Sequence, residues 1–208
     1  MKKHEASDSF DLKELNYLQD TDFLLTKHQI NKKLLHLLEQ ARQKLKQEVE
    51  TLDLIFPEGT DIKNGKTSKG EQYRYLPYWV LDYPRKYTQD DIFAFRTMIW
   101  WGNEVSCTLM LAEQSWEQYQ EVLLQNLVHQ TANDWYINVN TTPWEYHFEV
   151  DNYRKISEFS PTDLTELFQK MRFVKVSRKL ELSQLPQLPQ FTLEVFQDVM
   201  KLLQGGHN

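Results

Sequence analysis

Gly102-Asn103 lies between two runs rich in aromatic and β-branched residues, DIFAFRTMIWW before it and EVSCTLMLA after it. Nothing else in the chain limits the fold as tightly, because Gly-Asn between such runs is the signal for a two-residue type II′ hairpin turn. Residues 92 to 112 are therefore predicted to form one antiparallel hairpin. With a two-residue loop, Trp101 pairs with Glu104, which sets Trp100 opposite Val105, Met98 opposite Cys107 and Arg96 opposite Leu109. One face then carries Ile92, Ala94, Arg96, Met98 and Trp100 with Val105, Cys107, Leu109 and Leu111. The other carries Phe93, Phe95, Thr97, Ile99 and Trp101 against Glu104, Ser106, Thr108 and Met110, a mixed face suited to a groove. Arg96 in an apolar face must be paired, since a buried lone charge costs several kcal/mol, as an order of magnitude. The nearest carboxylate on the preceding segment is Asp82.

The rest of the chain reads outward from this hairpin. Residues 7 to 20 suggest a short helix or a loosely held arm. From Asp22 to Glu50, the positions Ile30, Leu34, Leu37, Leu38, Ala41, Leu45 and Val49 follow helical spacing and predict a long amphipathic helix covering one face of a sheet. Leu76 to Tyr83 alternates as a strand that Pro84 ends, with Tyr78, Val80 and Asp82 on one side. Ser115 with Gln118 reads as a capping box, and Ser160-Pro161 with Asp163 as a second helix start. Trp135 to Val139 and Trp144 to Val150 alternate as a second hairpin, with His147 on its polar side. Phe173 to Leu182 is a strand, Gln184 to Gln190 a rigid polyproline connector, and Thr192 the cap of a last helix that Gly205-Gly206 ends. This order predicts an α+β fold: a single domain over 21–204, with a largely antiparallel sheet of about six strands and helices packed on one face. Residues 1–20 precede it as the short helix or arm.

Several function classes are weakened by composition and spacing. A net charge of -6 without a concentrated basic patch argues against a nucleic-acid partner, whose phosphates dominate such binding. A single cysteine, Cys107, rules out an intrachain disulfide framework and fits a reducing cytoplasm, and no run is long and apolar enough to span a membrane. Gly59 to Thr67 reads G-x-x-x-x-x-G-K-T, one residue longer than a phosphate-binding loop, with no helix start after it. Segment 57–72 is instead expected to be a glycine-containing surface loop, or a flap over a neighbouring groove. The six histidines lack ligand spacing, so neither metal nor cofactor is expected. Cys107 reads as a small buried hydrophobe among Met98, Val105 and Leu109.

The chemistry-bearing constellation is Asp82, Tyr83, Arg85, Arg96, Trp100 and Trp101, with Asp90, Asp91 and Glu104 nearby. An arginine fork binds anions and indoles stack on rings, so these residues are candidate ligand-binding positions; the plain alternative is an internal ion pair with aromatic packing. Two functions follow. One is a non-catalytic binding or interaction module with an unknown protein or small-molecule partner, monomeric or homodimeric. The other is an enzyme acting on a small polar or anionic metabolite, with Arg96 or Arg85 as anion anchor and Asp82 as acid or base. Catalytic residues are not assigned.

The pieces Ser68-Lys69-Gly70-Glu71, Leu76-Pro77-Tyr78, Leu81-Asp82-Tyr83-Pro84-Arg85, Arg96-Thr97 and Trp100-Trp101-Gly102-Asn103 resemble an uncharacterised family of bacterial hypothetical proteins. The order of elements is more distantly similar to the YktB-type α+β proteins. Neither resemblance implies an activity, a cofactor or a catalytic residue.

Overall fold

A computed structural model describes residues 9–129 and 134–204. The chain divides into two compact units, residues 1–36 and 37–208, and the division falls inside a continuous helix. In the first unit, α1 (Leu12–Gln19) opens with a capping box between Asp11 and Glu14. α2 (Thr21–Thr51) starts where the Asp20 carboxylate accepts the Phe23 N–H at 2.8 Å.

The second unit holds an antiparallel sheet of seven strands. Its strands are β1 (Lys66–Tyr73), β2 (Leu76–Tyr87), β3 (Asp91–Trp100), β4 (Glu104–Glu113), β5 (Tyr136–Asn138), β6 (Tyr153–Lys155) and β7 (Phe173–Glu181). Their spatial order is β1-β2-β3-β4-β7-β5-β6. Helices α3 (Gln114–Val128), α4 (Pro161–Lys170) and α5 (Leu188–Leu202) complete the unit with the second half of α2. No described helix is long and apolar enough to cross a membrane.

The central hairpin forms where expected but in a register one residue away. Ile99 pairs with Val105, Met98 with Ser106, Thr97 with Cys107 and Arg96 with Thr108. The loop has three residues, Trp101 to Asn103, with Gly102 at φ +73°, a left-handed conformation that glycine adopts without cost. A slip of one residue exchanges faces. Phe93, Phe95, Thr97 and Ile99 therefore share a face with Val105, Cys107, Leu109 and Leu111, all fully buried or nearly so. Arg96, Met98 and Trp100 share the other with Ser106, Thr108 and Met110. Arg96 thus does not sit among Val105, Leu109 and Leu111, and Cys107 does not lie beside Met98.

Helices cover the apolar face. The Phe196 ring of α5 meets Phe95 at 5.1 Å, and Tyr119 of α3 meets Phe93 at 6.0 Å. Leu38, Ala41 and Leu45 of α2 are buried, and Gln197 of α5 donates to Glu48 at 2.8 Å. Each buried Leu, Ile or Phe side chain here contributes about 1.5–3 kcal/mol of transfer free energy. α4 packs on α3 through Trp116 and Phe168, 5.2 Å between rings, and begins at the expected Ser160–Asp163 capping box.

Six further sequence readings are corrected. β2 does not end at Pro84: it runs on to Tyr87 through a bulge between Asp82 and Arg85. The bulge shifts parity, so that Arg85 and Tyr87 emerge on the same face as Asp82. Segment 66–73 is not loop but the edge strand β1, and Gly70 leaves the space the Tyr78 ring fills, since a Cβ there would lie 2.6 Å from it. Residues 144–150 form no strand; β5 pairs with β6 at 153–155, and segment 139–152 runs between them. α3 has no side-chain cap from Ser115; the Asp91 carboxylate accepts the Ser115 N–H at 2.8 Å instead. In the same way residues 182–187 form a 3₁₀ turn rather than a polyproline connector, and Thr192 lies buried within α5 rather than capping it. Gly205-Gly206 lies outside the described residues.

Candidate functional site

The face of the sheet away from the helices is built from polar alternation. Asp82, Arg96, Thr108, Ser177 and Lys175 follow one another across β2, β3, β4 and β7, and Tyr136, Lys155 and Lys179 extend the same face over β5, β6 and the end of β7. Segment 139–152 covers its middle. Tyr146 is buried against Val80, Met98 and Trp100, with Tyr73 and Tyr78 at the margin.

Beneath this cover lies an ion-pair network. Asp82 and Arg96 are direct cross-strand partners, and the guanidinium binds the carboxylate by two bonds, Nε to Oδ1 at 2.7 Å and Nη2 to Oδ2 at 2.9 Å. Arg96 also donates to the Tyr146 hydroxyl at 2.5 Å and to the Tyr87 hydroxyl at 3.2 Å. Tyr87 reaches it only because of the β2 bulge. Burial opposes the arginine's charge, but the Asp82 bonds and the surrounding hydroxyls outweigh it and raise its pKa. All three nitrogens of the fork are thus engaged within the protein.

Next to Arg96 stands Lys175, a fully buried lysine. Its Nζ donates to the Glu145 carbonyl and lies 5.0 Å from the Tyr146 ring centre and 4.9 Å from that of Tyr153. Desolvation first, opposed by Glu145 and aided by the Arg96 charge, lowers its pKa to about 7. Tyr73 joins segment 139–152 to β1: its hydroxyl donates to Glu145 at 3.0 Å and accepts the N–H groups of Tyr146 at 2.6 Å and His147 at 3.1 Å. Burial pushes the phenol up to about 12. His147 is therefore not on an open polar strand face but buried at the end of this chain of contacts.

His147, Glu149 and Asp151 bring three potential metal-ligand atoms within 4.8 Å of one another. The Arg74 guanidinium stands among them, 2.9 Å from His147 Nε2 and 3.2 Å from Glu149 Oε1. A fixed cation thus already serves these acceptors.

The open part of the face lies past the ends of the short strands. β5 and β6 stop at Tyr136 and Lys155, whereas β7 continues to Glu181 beside the start of β4, leaving a cavity of about 750 Å³. Glu104, Tyr136, Lys155, Lys179 and Ser183 line it. Glu104 is mostly desolvated, which raises its pKa despite Lys179, whose Nζ is 3.8 Å away. The same ammonium lies 5.5 Å from the Tyr136 ring centre and 5.2 Å from that of Phe148. A carboxylate whose pKa is raised by burial, two ammonium groups and an aromatic face thus line one hollow.

Of the six positions singled out in the sequence, the structure joins Asp82 with Arg96 and places Trp100 in the aromatic cluster beside them. Tyr83 faces the opposite side, its hydroxyl donating to the Ile62 carbonyl at 2.7 Å. Arg85 exchanges both backbone hydrogen bonds with Asp61. Trp101 sits in the hairpin loop, its N–H donating to the Pro77 carbonyl at 3.0 Å. Phe95, expected on the same mixed face as Trp101, is buried under α5, so the two do not share an exposed aromatic patch. The polar-face residues of β7, of which Lys179 lines the cavity, carried one signal, the alternation of Lys175, Ser177 and Lys179 with the apolar Val174, Val176 and Leu180.

No family model matches the chain, and neither does any curated protein or solved structure.

Proposed function

We propose that the protein is a non-catalytic binding module for a small polar ligand, taken up in the cavity between Glu104, Lys179 and Lys155. The two ammonium groups would hold an anionic group, Tyr136 would stack on the ligand body, and Glu104 would hydrogen-bond a hydroxyl or amine. The observation that carries this reading is the convergence of these groups in a hollow of about 750 Å³, the size expected of a small-molecule site. The mixed charge of the lining favours a zwitterion over a simple anion. The buried Arg96–Asp82 pair then serves as the frame behind the site rather than as its anion anchor. A reducing cytoplasm is the compartment that fits a lone buried thiol, and membership of a bacterial family rests on the motif resemblance.

The test is a panel of amino acids, dicarboxylates and sugars screened by thermal shift and ligand-observed NMR. A true ligand at a hundredfold excess over its Kd adds about 2.7 kcal/mol of stability. Lys179→Met should abolish that gain, while Arg85→Met should leave it intact. Shifts that survive Lys179→Met and Glu104→Gln place the ligand elsewhere and sink the proposal. A second reading, an enzyme, is favoured by Glu104 alone, because a carboxylate with a raised pKa in a hollow is suited to general acid work. Turnover of a bound compound, lost in Glu104→Gln with binding retained, would select it.

A further inference from the structure

The unit formed by residues 1–36 leaves large apolar side chains in solvent. Leu12, Tyr17, Leu18, Leu24, Leu25 and Leu35 are each between 46% and 81% exposed. A unit below about 40 residues seldom completes a core without a partner or staple, and apolar patches of this kind mark docking surfaces.

The charge pattern says what fits there. Residues 11–22 carry Asp11, Glu14, Asp20 and Asp22 against Lys13 alone, a net charge of -3. Residues 23–36 carry Lys27, Lys32 and Lys33 and no carboxylate, a net charge of +3. A surface whose charge reverses midway is complementary to its own copy turned end for end, because a twofold axis sets each acidic half on the partner's basic half. A parallel pair would set like on like. An anionic lipid surface would attract one half and repel the other.

We infer that residues 9–36 form a homodimerisation element, occupied by a second copy of this chain packed antiparallel. The exposed apolar side chains of each copy cover those of the other, and Asp20 and Asp22 of one lie toward Lys32 and Lys33 of its partner.

Sedimentation velocity on the full chain across the micromolar range tests this. The expected species has twice the 25.0 kDa mass of the chain, and it dissociates further as salt rises. Leu24→Glu with Leu25→Glu should give monomers whose near-UV spectrum matches wild type. Because that variant also changes the charge and helix face of α2 itself, charge exchange supplies a second measurement. Lys32→Glu with Lys33→Glu, and separately Asp22→Lys, should each weaken self-association by about tenfold or more, and mixing the two variants should restore a dimer. The inference is overturned by a wild-type monomer at all these concentrations, by a dimer that neither variant disturbs, or by a monomer that sediments with anionic vesicles.

Discussion

The two faces of the sheet use the same strands and opposite strategies. On the helix side, Phe93, Phe95, Leu109, Leu111 and Val176 meet Phe196 and Tyr119, and stability comes from apolar area removed from water. On the other side, an irregular segment lies over Asp82, Arg96, Lys175 and a ring of phenols, and every buried charge there must find a partner. Transfer free energy is insensitive to which apolar neighbour is present, whereas a buried ion pair is worth little net and costs a great deal when halved. The polar face is thus the specific and fragile one, and it leads directly to the cavity.

The sharpest way to break this comparison is to remove one member from each face. Arg96→Met should lower stability by about 3–5 kcal/mol because Asp82 is left buried and alone. Phe95→Ala should cost a similar amount, about 3–5 kcal/mol, through the cavity it opens. Urea unfolding separates them: adding Asp82→Leu to Arg96→Met should recover much of the loss, while no single partner change rescues Phe95→Ala. An unchanged midpoint for Arg96→Met would refute the network.

Lys175 gives the next largest effect, and it depends on pH. Its folded pKa of about 7 lies below the ordinary lysine value of 10.5, so between these limits the unfolded chain holds a proton that the folded chain lacks. Stability from this group therefore rises as pH climbs from about 7 toward 10.5, and below 7 the full cost of the buried ammonium remains. Against Lys175→Met, wild type should gain a few kcal/mol between pH 7 and 10, as an order of magnitude. A gap that stays constant with pH would mean that the amine keeps its charge in the fold.

Smaller effects sharpen the contrast. Tyr73→Phe removes the acceptor of two backbone N–H groups and should cost about 1–3 kcal/mol, with hydrogen exchange rising at Tyr146 and His147 first. Ser160→Ala, at an exposed helix start, should cost about 1 kcal/mol as an ordinary helix cap.

Several of these features were legible in the chain. The Ser160-Pro161-Asp163 start, the long amphipathic run of α2 and the position of the central hairpin were readable because caps, periodicity and turns act over a few residues. Asp82 and Arg96 could be paired by electrostatics alone, since a buried guanidinium admits few partners. Segment 66–73 was not readable as a strand: KTSKGEQY has no apolar alternation and is a strand only because β2 offers it an edge. Residues 144–150 alternate as a strand would, yet the polar face they cover takes Tyr146 and Glu145 as a lid and leaves their backbone irregular.

Local chemistry in the sequence thus determined where α4 starts, where the central hairpin turns and that Arg96 needs Asp82. The tertiary structure decided the register of β3 on β4, the β2 bulge that delivers Tyr87 to Arg96 and the early ends of β5 and β6 that open the cavity. The physical reason is that the register and the bulge each turn on a single residue between near-equal local alternatives. Only the packing of both faces at once, with Phe95 under α5 and Arg96 under Tyr146, is strong enough to choose between them.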